Sequence, residues 1–268
     1  MLDESSVISY LTERKLLPAD SYLGNATVEV LTGGVSCIVL AVKSAQREIV
    51  VKQALPELKT KAKWVADQRR AIVEAEAIEL FNRLTPTQVP KLVFLDPERF
   101  ILVLERVPVG STVWKSDLLA GVINPDIGLK LGATLASWHN YGEKNAEVKV
   151  KFMEDSLFEQ LRIDPFYRFV AAKNPQIEVS IRKLINELEG DKTTVVHGDF
   201  SPKNIMVATN DDVYILDFEG GYFSLSIPSV SFYVTSLTTA SPLLNATFKA
   251  IFIKEIFVQW VILTAQGT

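Results

Sequence analysis

The chain carries two acidic motifs, HGDFSPKN at residues 197–204 and ILDFE at residues 215–219. Phosphoryl transfer needs one carboxylate to receive or orient the acceptor hydroxyl. It also needs an amide oxygen and a second carboxylate to hold magnesium on the nucleotide phosphates. Asp199, Asn204 and Asp217 supply these groups in that order. The apolar runs around them predict short strands, which would present the three side chains from loops on a rigid base.

The first motif taken by itself is a weak signal, because its residues also occur in ordinary turns. Asp, Asn, Gly and Pro all populate tight turns. A second Asp placed directly after the next strand makes a chance occurrence of the whole pattern much rarer. We therefore interpret the two motifs together as a catalytic centre.

The two motifs resemble those of the superfamily that contains aminoglycoside phosphotransferases, choline kinases and methylthioribose kinases. The shared pattern is His-Gly-Asp-x-x-Pro-x-Asn, followed by a strand that ends in Leu-Asp-Phe-Glu. A protein kinase would carry His-Arg-Asp, Asp-Phe-Gly and Ala-Pro-Glu segments, and this chain has none of them. The resemblance implies an α+β, bilobal protein-kinase-like fold with a strand-rich N-terminal lobe and a mostly helical C-terminal lobe.

The resemblance extends from Leu31 to about Tyr222 and weakens afterwards. Relatives usually carry a Gly-Asp-Pro stretch and a further Asp that braces the catalytic loop, whereas this chain reads YFSLSIPSVS at residues 222–231. Mostly apolar, helical sequence is expected from there to the end. The absence of this Asp bears on the rigidity of the loop and on turnover.

The composition argues against several other function classes. The 268 residues are 48% hydrophobic and 22% charged, as is ordinary for a folded soluble protein. A net charge of −4 and a pI near 5.4 provide no basic excess for binding nucleic acid. The single cysteine, Cys37, excludes an internal disulfide. With His139 and His197 as the only histidines, a structural zinc site is not expected.

Neither a secretory signal nor a membrane span is predicted. The first residues, MLDES, lack a basic start and an apolar stretch. The apolar segment over residues 250–265 is interrupted by Lys254 and Glu255, and it falls short of the roughly 20 apolar residues that a span requires. We expect a cytoplasmic protein, and the sequence sets no oligomeric state.

The N-terminal part of the chain has the features of a nucleotide site. Strands are expected over residues 27–31, 38–42 and 49–52. Lys52 ends the last of them, where a lysine either grips the ATP phosphates or extends from a solvent-facing strand end. The turn at Gly33 and Gly34 can bring backbone amides close to a phosphate because no Cβ intervenes, although such turns also join ordinary hairpins.

A phosphate-binding lysine needs a carboxylate partner, and the next predicted element offers two. Apolar spacing predicts a helix over about residues 61–84. Glu74 and Glu76 lie on opposite borders of its buried stripe, and helical geometry alone does not choose between them. The pattern Glu-Ala-x-Ala-Leu of the resembled family favours Glu74. Arg70, on the same helix, is expected on the surface.

The resemblance assigns further contacts to the nucleotide. Relatives cover the phosphates with a Leu-x-Gly-Gly-x-Ser turn, which corresponds here to Gly33, Gly34 and Ser36. Their hinge between lobes, whose backbone binds adenine, corresponds to residues 104–107, which include Glu105. These assignments place ATP between the two lobes.

The predicted lobes divide the chain after the hinge. Residues 1–107 would form the nucleotide-binding lobe, and residues 108–268 the lobe that carries the catalytic motifs and binds the acceptor. Asn124-Pro125 is a plausible start for the first long helix of the second lobe. Apolar residues from Ile181 to Leu188 predict another amphipathic helix ahead of the catalytic strands.

The resulting hypothesis is transfer of the γ-phosphoryl group of ATP to a hydroxyl of a small molecule. Asp199 would orient the hydroxyl and accept its proton. Asn204 and Asp217 would ligate Mg²⁺, with Glu219 as a further contributor. Lys203 would either contact the γ-phosphate or lie on the surface. No side-chain nucleophile is required, because this chemistry depends on positioning and electrostatics.

Two alternative functions, from other classes of protein, remain open. One is a nucleotide-binding regulatory protein with a kinase fold and weak or absent transfer, which the missing downstream Asp favours and the retained motif residues disfavour. The other is a metal-dependent hydrolase using His197 and Asp199, which lacks enough metal ligands. We expect His197 to support the catalytic loop instead. Methylthioribose, choline, homoserine and aminoglycosides all remain candidate acceptors.

Overall fold

The N-terminal part of the molecule is built on a five-stranded antiparallel sheet. The structure is a computed structural model that describes residues 1–32, 34–61, 63–190 and 192–224. The strands are β1 (Ala26–Val30), β2 (Cys37–Ser44), β3 (Glu48–Ala54), β4 (Leu92–Asp96) and β5 (Ile101–Glu105). They lie in the order β1-β2-β3-β5-β4, so that β3 is the central strand.

Side chains along β3 alternate between the two faces of the sheet, and this alternation decides which residues lie on each face. Val51 packs with residues of the helix α1 (Val7–Glu13), which covers one face. Lys52, the next residue, therefore points to the opposite face. That face is covered by the helix α2 (Arg70–Leu84), whose Ala71 packs in the same core cluster as the sheet residues there. The central strand β3 thus places Lys52 on the face of the sheet that α2 covers.

The helix predicted over residues 61–84 begins later than expected, at Arg70. The preceding segment forms an isolated β-bridge between Glu57 and Val65 instead of a helical turn. Its apolar side chains, among them Trp64, pack against the C-terminal lobe. The prediction was wrong there because the apolar spacing that indicated a helix lies within the last part of the range, and tertiary contacts set the conformation of the rest.

The C-terminal part is mostly helical. After a short strand β6 (Thr112–Val113) come α3 (Trp114–Leu119), α4 (Pro125–Lys144), α5 (Ala146–Lys151), α6 (Ser156–Phe158), a π-helix (Glu159–Arg168), α7 (Phe169–Lys173) and α8 (Glu178–Gly190). As predicted, α4 begins after Asn124, whose side chain accepts a hydrogen bond from the backbone N–H of Asp126 at 3.0 Å. The predicted amphipathic helix before the catalytic strands corresponds to α8.

Short strands flank the two acidic motifs, as predicted. These are β7 (Thr194–Val196), β8 (Ile205–Val207) and β9 (Val213–Ile215). A further strand, β10 (Tyr222–Ser224), lies where helical sequence was expected, because it pairs with β7. β6, β8 and β9 form a three-stranded sheet, and β10 pairs with β7. The α+β fold with a strand-rich N-terminal lobe and a mostly helical C-terminal lobe is therefore confirmed. The helical sequence expected over residues 225–268 lies outside the described residues.

No helix within the described part of the chain is both long and apolar enough to cross a bilayer. The longest, α4, has 20 residues, but polar and charged side chains such as Asp126, Lys130 and His139 interrupt its apolar character.

A cluster of aromatic rings joins the two lobes beneath the motifs. Phe81 of α2 stacks on Trp138 of α4 with ring centroids 4.1 Å apart. Both rings also lie near Phe218 of the second motif, at 5.5 Å and 5.9 Å. Phe200 of the first motif meets the edge of Trp138 at 6.4 Å. One apolar cluster therefore supports both motifs from below.

Truncating the buried ring of Phe81 should destabilise the whole fold. Phe81→Ala removes a fully buried ring from the cluster, and such truncations cost about 3–5 kcal/mol. Phe169→Ala, at a ring that is 57% exposed, should change the free energy of unfolding by less than about 0.5 kcal/mol. Chemical denaturation of both variants measures the difference. Equal losses would contradict the assignment of Phe81 to the shared core.

Candidate functional site

Lys52 occupies the centre of the site, between two carboxylates from different parts of the chain. Its Nζ lies 2.6 Å from Glu74 Oε1 on α2 and 2.9 Å from Asp217 Oδ1 at the end of β9. The Lys52 and Glu74 side chains are 11% and 2% exposed, whereas Asp217 is 26% exposed. The pairing of Lys52 with Glu74 is thus present in the structure, and Asp217 is the carboxylate that opens toward solvent.

The three charges shift one another's protonation. Burial acts to lower the pKa of Lys52, but Asp217 and Glu74 outweigh it and hold that pKa well above its usual range. Burial likewise acts to raise the pKa of Asp217, and pairing with Lys52 reverses the direction, so that this carboxylate stays ionised. Burial dominates at Glu74 and raises its pKa. Lys52 and Asp217 are therefore charged at neutral pH.

Glu76, the other carboxylate considered as a partner for Lys52, points elsewhere. Its Oε1 lies 3.3 Å from Lys151 Nζ, and both side chains are more than a third exposed. The separation of the two glutamates follows from helical geometry, because residues two positions apart on a helix face different directions.

A cavity of about 330 Å³ opens beside Lys52, between the sheet and the motifs. Its volume lies within the range of small-molecule sites. It is lined by sheet residues, by the residues after β5 and by both motifs, including Leu31, Gly34, Ser36, Cys37, Val39, Leu104, Glu105, Asn204, Met206 and Asp217. The predicted contacts Gly34, Ser36 and Glu105 therefore border one space with Lys52. Gly33 lies outside the described residues.

Cys37 also lines this cavity but is not a candidate nucleophile. It is buried, and burial raises the pKa of its thiol to about 12. The thiol is therefore protonated at neutral pH and has little nucleophilic thiolate. It acts as a small apolar wall of the cavity.

His197 fastens the first motif to the second. Its Nδ1 accepts a hydrogen bond from the backbone N–H of Asp199 at 3.2 Å, so Nε2 carries the proton and donates to the carbonyl oxygen of Leu216 at 3.0 Å. Burial lowers the pKa of His197 to about 4, which keeps the ring neutral as this arrangement requires. The expected role of His197 in supporting the catalytic loop agrees with this geometry.

The loop around Asp199 is closed by hydrogen bonds along its backbone. Asn204 Nδ2 donates to the carbonyl oxygen of Asp199 at 2.9 Å, and the carbonyl oxygen of Asn204 accepts from the backbone N–H of Leu216 at 2.8 Å. The side-chain Nδ2 of Asn204 thus makes a hydrogen bond inside the loop, while Asn204 also borders the cavity. Its Oδ1 is the atom suited to a metal.

Asp199 itself is buried between two cations. Its Oδ2 lies 2.8 Å from Lys203 Nζ and 3.1 Å from Arg162 Nη2, and Ser201 Oγ donates to Oδ1 at 3.3 Å. Lys203, for which the sequence left a phosphate contact and a surface position open, lies with Asp199 and borders the cavity. Its side chain is 52% exposed, so it can follow an incoming anion.

Asp217 has a left-handed backbone, with φ of +69° and ψ of +63°. This conformation is uncommon for residues with a side chain and is frequently found where a site imposes it. It turns the chain sharply between β9 and the following helical turn at Phe218–Gly220. The turn brings the Asp217 carboxylate back toward Lys52.

Glu219 lies next to the site but is held by Arg70. Its Oε2 is 3.3 Å from Arg70 Nε, and the Arg70 side chain is fully buried. Nη2 of Arg70 donates to the carbonyl oxygens of Ser36 and Leu55 at 2.6 Å and 2.7 Å, and Nη1 donates to those of Ala66 and Asp67 at 3.1 Å. Sequence analysis expected Arg70 on the surface, which was wrong. Its position four residues before Glu74 places it on the same face of α2 and could have indicated its burial.

Arg162, on the π-helix, is a second residue that sequence analysis missed. Its flanking residues Leu161 and Ile163 are buried, and so is Arg162 itself. An arginine between two apolar residues in a charged helical region carries no motif that could have identified it. Only the tertiary structure brings it to Asp199.

The oxygen atoms at the cavity suit magnesium. Mg²⁺ is commonly held by one or two carboxylates, waters and substrate phosphates rather than by a complete protein cage. Asn204 and Asp217 supply one amide oxygen and one ionised carboxylate. In the described residues there is no group of three or more His, Cys, Asp or Glu side chains close enough to hold a metal. A metal here would therefore need the phosphates as ligands.

Comparisons with known proteins agree with this arrangement. A family model described as the phosphotransferase enzyme family matches residues 27–224. The match covers well over half of the sequence, so the chain belongs to the phosphotransferase enzyme family. The resemblance inferred from the two motifs is confirmed.

Similar curated proteins include methylthioribose kinases. The enzyme of Enterobacter sp. (strain 638) is 25% identical over 205 residues, which are 65% of this chain and 50% of that kinase. The enzyme of Bacillus cereus (strain G9842) is 23% identical over 243 residues, 78% of this chain and 59% of that kinase. The chain spans about half the length of the curated relatives it matches.

Solved structures with the same fold include a choline kinase, a choline/ethanolamine kinase family protein and an aminoglycoside phosphotransferase. Choline kinase from Cryptosporidium parvum Iowa II has a TM-score of 0.65 at 14% identity, covering 98% of this chain and 80% of that one. A choline/ethanolamine kinase family protein from Mesorhizobium loti scores 0.58 at 14% identity, with coverages of 94% and 76%. The streptomycin–ATP–APH(2")-IIa ternary complex scores 0.55 at 12% identity, with coverages of 100% and 88%. At these identities the likeness supports the fold.

Replacing Glu74 should weaken nucleotide binding, whereas replacing Glu76 should not. Glu74→Gln removes one charge from a buried ion pair, which is costly because the partner charge stays buried. We expect the affinity for ATP with Mg²⁺ to fall by roughly tenfold or more, or about 1.4 kcal/mol. Glu76→Gln is the matched control on the same helix. Titration calorimetry measures both, and equal affinities would contradict the role of the Lys52–Glu74 pair.

The two buried histidines should make the fold sensitive to mild acid. Burial lowers the pKa of His139 to about 3 and that of His197 to about 4, against about 6.5 in an unfolded chain. Below pH 6.5 the unfolded chain binds protons that the folded chain does not, so stability falls as pH falls. At pH 5 the loss is about 2 kcal/mol for each ring.

His139 allows this effect to be measured outside the motifs. The Tm of the wild type should fall between pH 7 and pH 5, and the fall should be clearly smaller in His139→Gln, which cannot titrate. Differential scanning calorimetry over this range checks it. An identical pH dependence in both proteins would show that His139 binds its proton equally well in the folded and unfolded states.

Proposed function

We propose that the protein is an ATP-dependent phosphotransferase that moves the γ-phosphoryl group to a hydroxyl of a small molecule. The observation that carries the proposal is the contact of Lys52 Nζ with both Glu74 and Asp217 at the wall of the cavity that Asn204 also lines. A lysine held by a helix glutamate beside a metal-binding aspartate is the arrangement that kinases use to hold nucleotide phosphates. Membership in the phosphotransferase enzyme family supports the same function.

ATP would bind in the cavity between the lobes. The backbone of residues 104–107, which include Glu105, would contact adenine, and Gly33, Gly34 and Ser36 would cover the phosphates. Lys52 would neutralise the phosphates that are not transferred. We propose residues 1–107 as the nucleotide-binding lobe and residues 108–268 as the lobe that binds the acceptor.

Mg²⁺ would be held by Asn204 and Asp217 together with the phosphates, and it supplies neutralisation of their negative charge. Asp217 is suited to this role because Lys52 keeps it ionised while part of its carboxylate faces the cavity. Glu219 would contribute further negative charge, although its pairing with Arg70 makes it less available than Asp217.

Asp199 would act on the acceptor. The hydroxyl proton passes to the Asp199 carboxylate as the hydroxyl oxygen bonds to the γ-phosphorus, and the bond from phosphorus to the bridging oxygen breaks to leave ADP. Lys203 lies beside Asp199 and can compensate charge on the group in transfer. The remaining contribution is positioning of the two reactants, which is a large part of catalysis in this class.

Methylthioribose is the first acceptor to test, because the similar curated proteins are methylthioribose kinases. Choline and an aminoglycoside follow, since solved structures with this fold include kinases for both. Homoserine represents other small alcohols. A cytoplasmic location is part of the proposal, because the reaction consumes ATP.

Asp199→Asn is the decisive variant. It should lower transfer by roughly 100-fold or more, because removing a general base costs at least about that factor. It should leave binding of ATP intact, because Asp199 contacts the acceptor and not the nucleotide. Asp126→Asn, at an exposed residue of α4, is the control and should behave as wild type. Transfer is measured as ADP release with each acceptor.

Nucleotide binding is followed in the same proteins by thermal melts with ATP and Mg²⁺, with ATP and EDTA, and with neither. Saturation at about 100 times the Kd stabilises the fold by about 2.7 kcal/mol. A magnesium-dependent rise in Tm together with loss of transfer in Asp199→Asn is the expected result. No rise for the wild type would overturn the proposal. A rise with no transfer to any acceptor would favour a regulatory nucleotide-binding protein.

A further inference from the structure

Arg162 is a buried cation that belongs to neither acidic motif and yet holds the first of them. Its side chain is 8% exposed. Nε donates a hydrogen bond to the carbonyl oxygen of Gly198 at 2.8 Å, and Nη2 lies 3.1 Å from Asp199 Oδ2. Nη1 donates to the carbonyl oxygen of Leu161 at 2.9 Å. One guanidinium therefore holds the backbone of the loop at Gly198 and the side chain of the next residue.

The two cations beside Asp199 differ in how firmly they are held. Lys203 has a flexible stem and is half exposed. Arg162 is enclosed by backbone, because a Cβ built on Gly220 would come within 3.3 Å of its Nη2. The planar guanidinium is also held by two hydrogen bonds to backbone carbonyl oxygens, from Nε and Nη1, which fix the direction in which Nη2 faces Asp199. Arg162 is thus the fixed partner of Asp199 and Lys203 the movable one.

The π-helix that carries Arg162 is itself fastened to the N-terminal lobe. Trp64 Nε1 donates to the carbonyl oxygen of Gln160 at 3.0 Å, and the Gln160 side chain accepts from the backbone N–H of Asp67 at 2.8 Å. Leu161 packs in an apolar cluster with Leu58 and Ala66. The segment before α2 therefore holds the π-helix at the two residues that directly precede Arg162.

We propose that Arg162 is a positioning residue for phosphoryl transfer: it fixes the direction of the Asp199 carboxylate and offsets its repulsion from the nucleotide phosphates. This rests on the proposed function. The carboxylate must approach a polyanion to reach the acceptor hydroxyl, and a fixed cation on Oδ2 reduces the cost of that approach. It also leaves Oδ1, which accepts a 3.3 Å hydrogen bond from Ser201 Oγ while both cations lie against Oδ2, as the oxygen that can receive the hydroxyl proton.

The test compares Arg162→Lys and Arg162→Met with Arg168→Met, using methylthioribose, choline, homoserine and an aminoglycoside as probes. Arg168 lies on the same π-helix, but it is half exposed and pairs with Glu159 and Asp164 away from the motifs. We expect kcat to fall roughly 100-fold in Arg162→Met, the size expected for a misplaced catalytic group. The KM for ATP should stay within about twofold, because Lys203 still neutralises Asp199 in the variant and the proposed nucleotide contacts are unchanged.

Arg162→Lys distinguishes the effect of the positive charge of Arg162 from the effect of its planar geometry. It keeps the positive charge but cannot hold Gly198 and Asp199 together, so its kcat should lie between those of the wild type and Arg162→Met. A merely structural role would lower the amount of folded protein without separating kcat from KM, and Tm is measured for each variant to detect this. Equal kcat in Arg162→Met and Arg168→Met would overturn the proposal.

Hydrogen–deuterium exchange supplies a readout that needs no acceptor. In full-length protein with a non-hydrolysable ATP analogue and Mg²⁺, Arg162→Lys should exchange faster than wild type over residues 197–204, and Arg168→Met should not. If wild type transfers to none of the probes, the proposed function fails by itself and exchange alone decides whether Arg162 holds the loop. Unchanged exchange in Arg162→Lys would then refute the positioning role.

Discussion

The arrangement of the site depends on the buried ammonium of Lys52. A charge removed from water is costly unless it is paired at close range, and the two carboxylates that pair it come from α2 and from the end of β9. The ion pairs therefore fix the sheet, the helix and the second motif relative to one another. They also keep Asp217 ionised and partly exposed at the cavity wall, which suits a site for a divalent cation bound together with an anionic nucleotide.

The sequence predicted the parts of the site that depend on local pattern. Asn204 and Asp217 border one cavity and Asn204 bonds to the backbone of Asp199, because strand ends and tight turns position these residues through near neighbours in the chain. The choice between Glu74 and Glu76 needed the tertiary structure, since both lie at the border of the apolar stripe of the same helix. The direction in which α2 faces the sheet decides it.

What the sequence did not predict shares one physical cause. Arg70 and Arg162 are long charged side chains buried against backbone carbonyl oxygens, and apolar periodicity assigns such residues to the surface. The late start of α2 has a similar origin, because Trp64 and its neighbours exchange helical hydrogen bonds for contacts with the π-helix. In each case a contact between residues distant in sequence overrides the local preference. Gly33 and the sequence after residue 224 lie outside the described residues.

The backbones of the two motifs contact each other, and this contact limits which changes of sequence the motifs can accommodate. Gly198 has φ of +76°, and a Cβ there would stand 2.0 Å from the carbonyl oxygen of Gly220. Any side chain at this position would displace the turn that carries Glu219. The two loops are therefore structurally coupled: a change in the length of the hairpin between them preserves the site only if it restores the contact between Gly198 and Gly220.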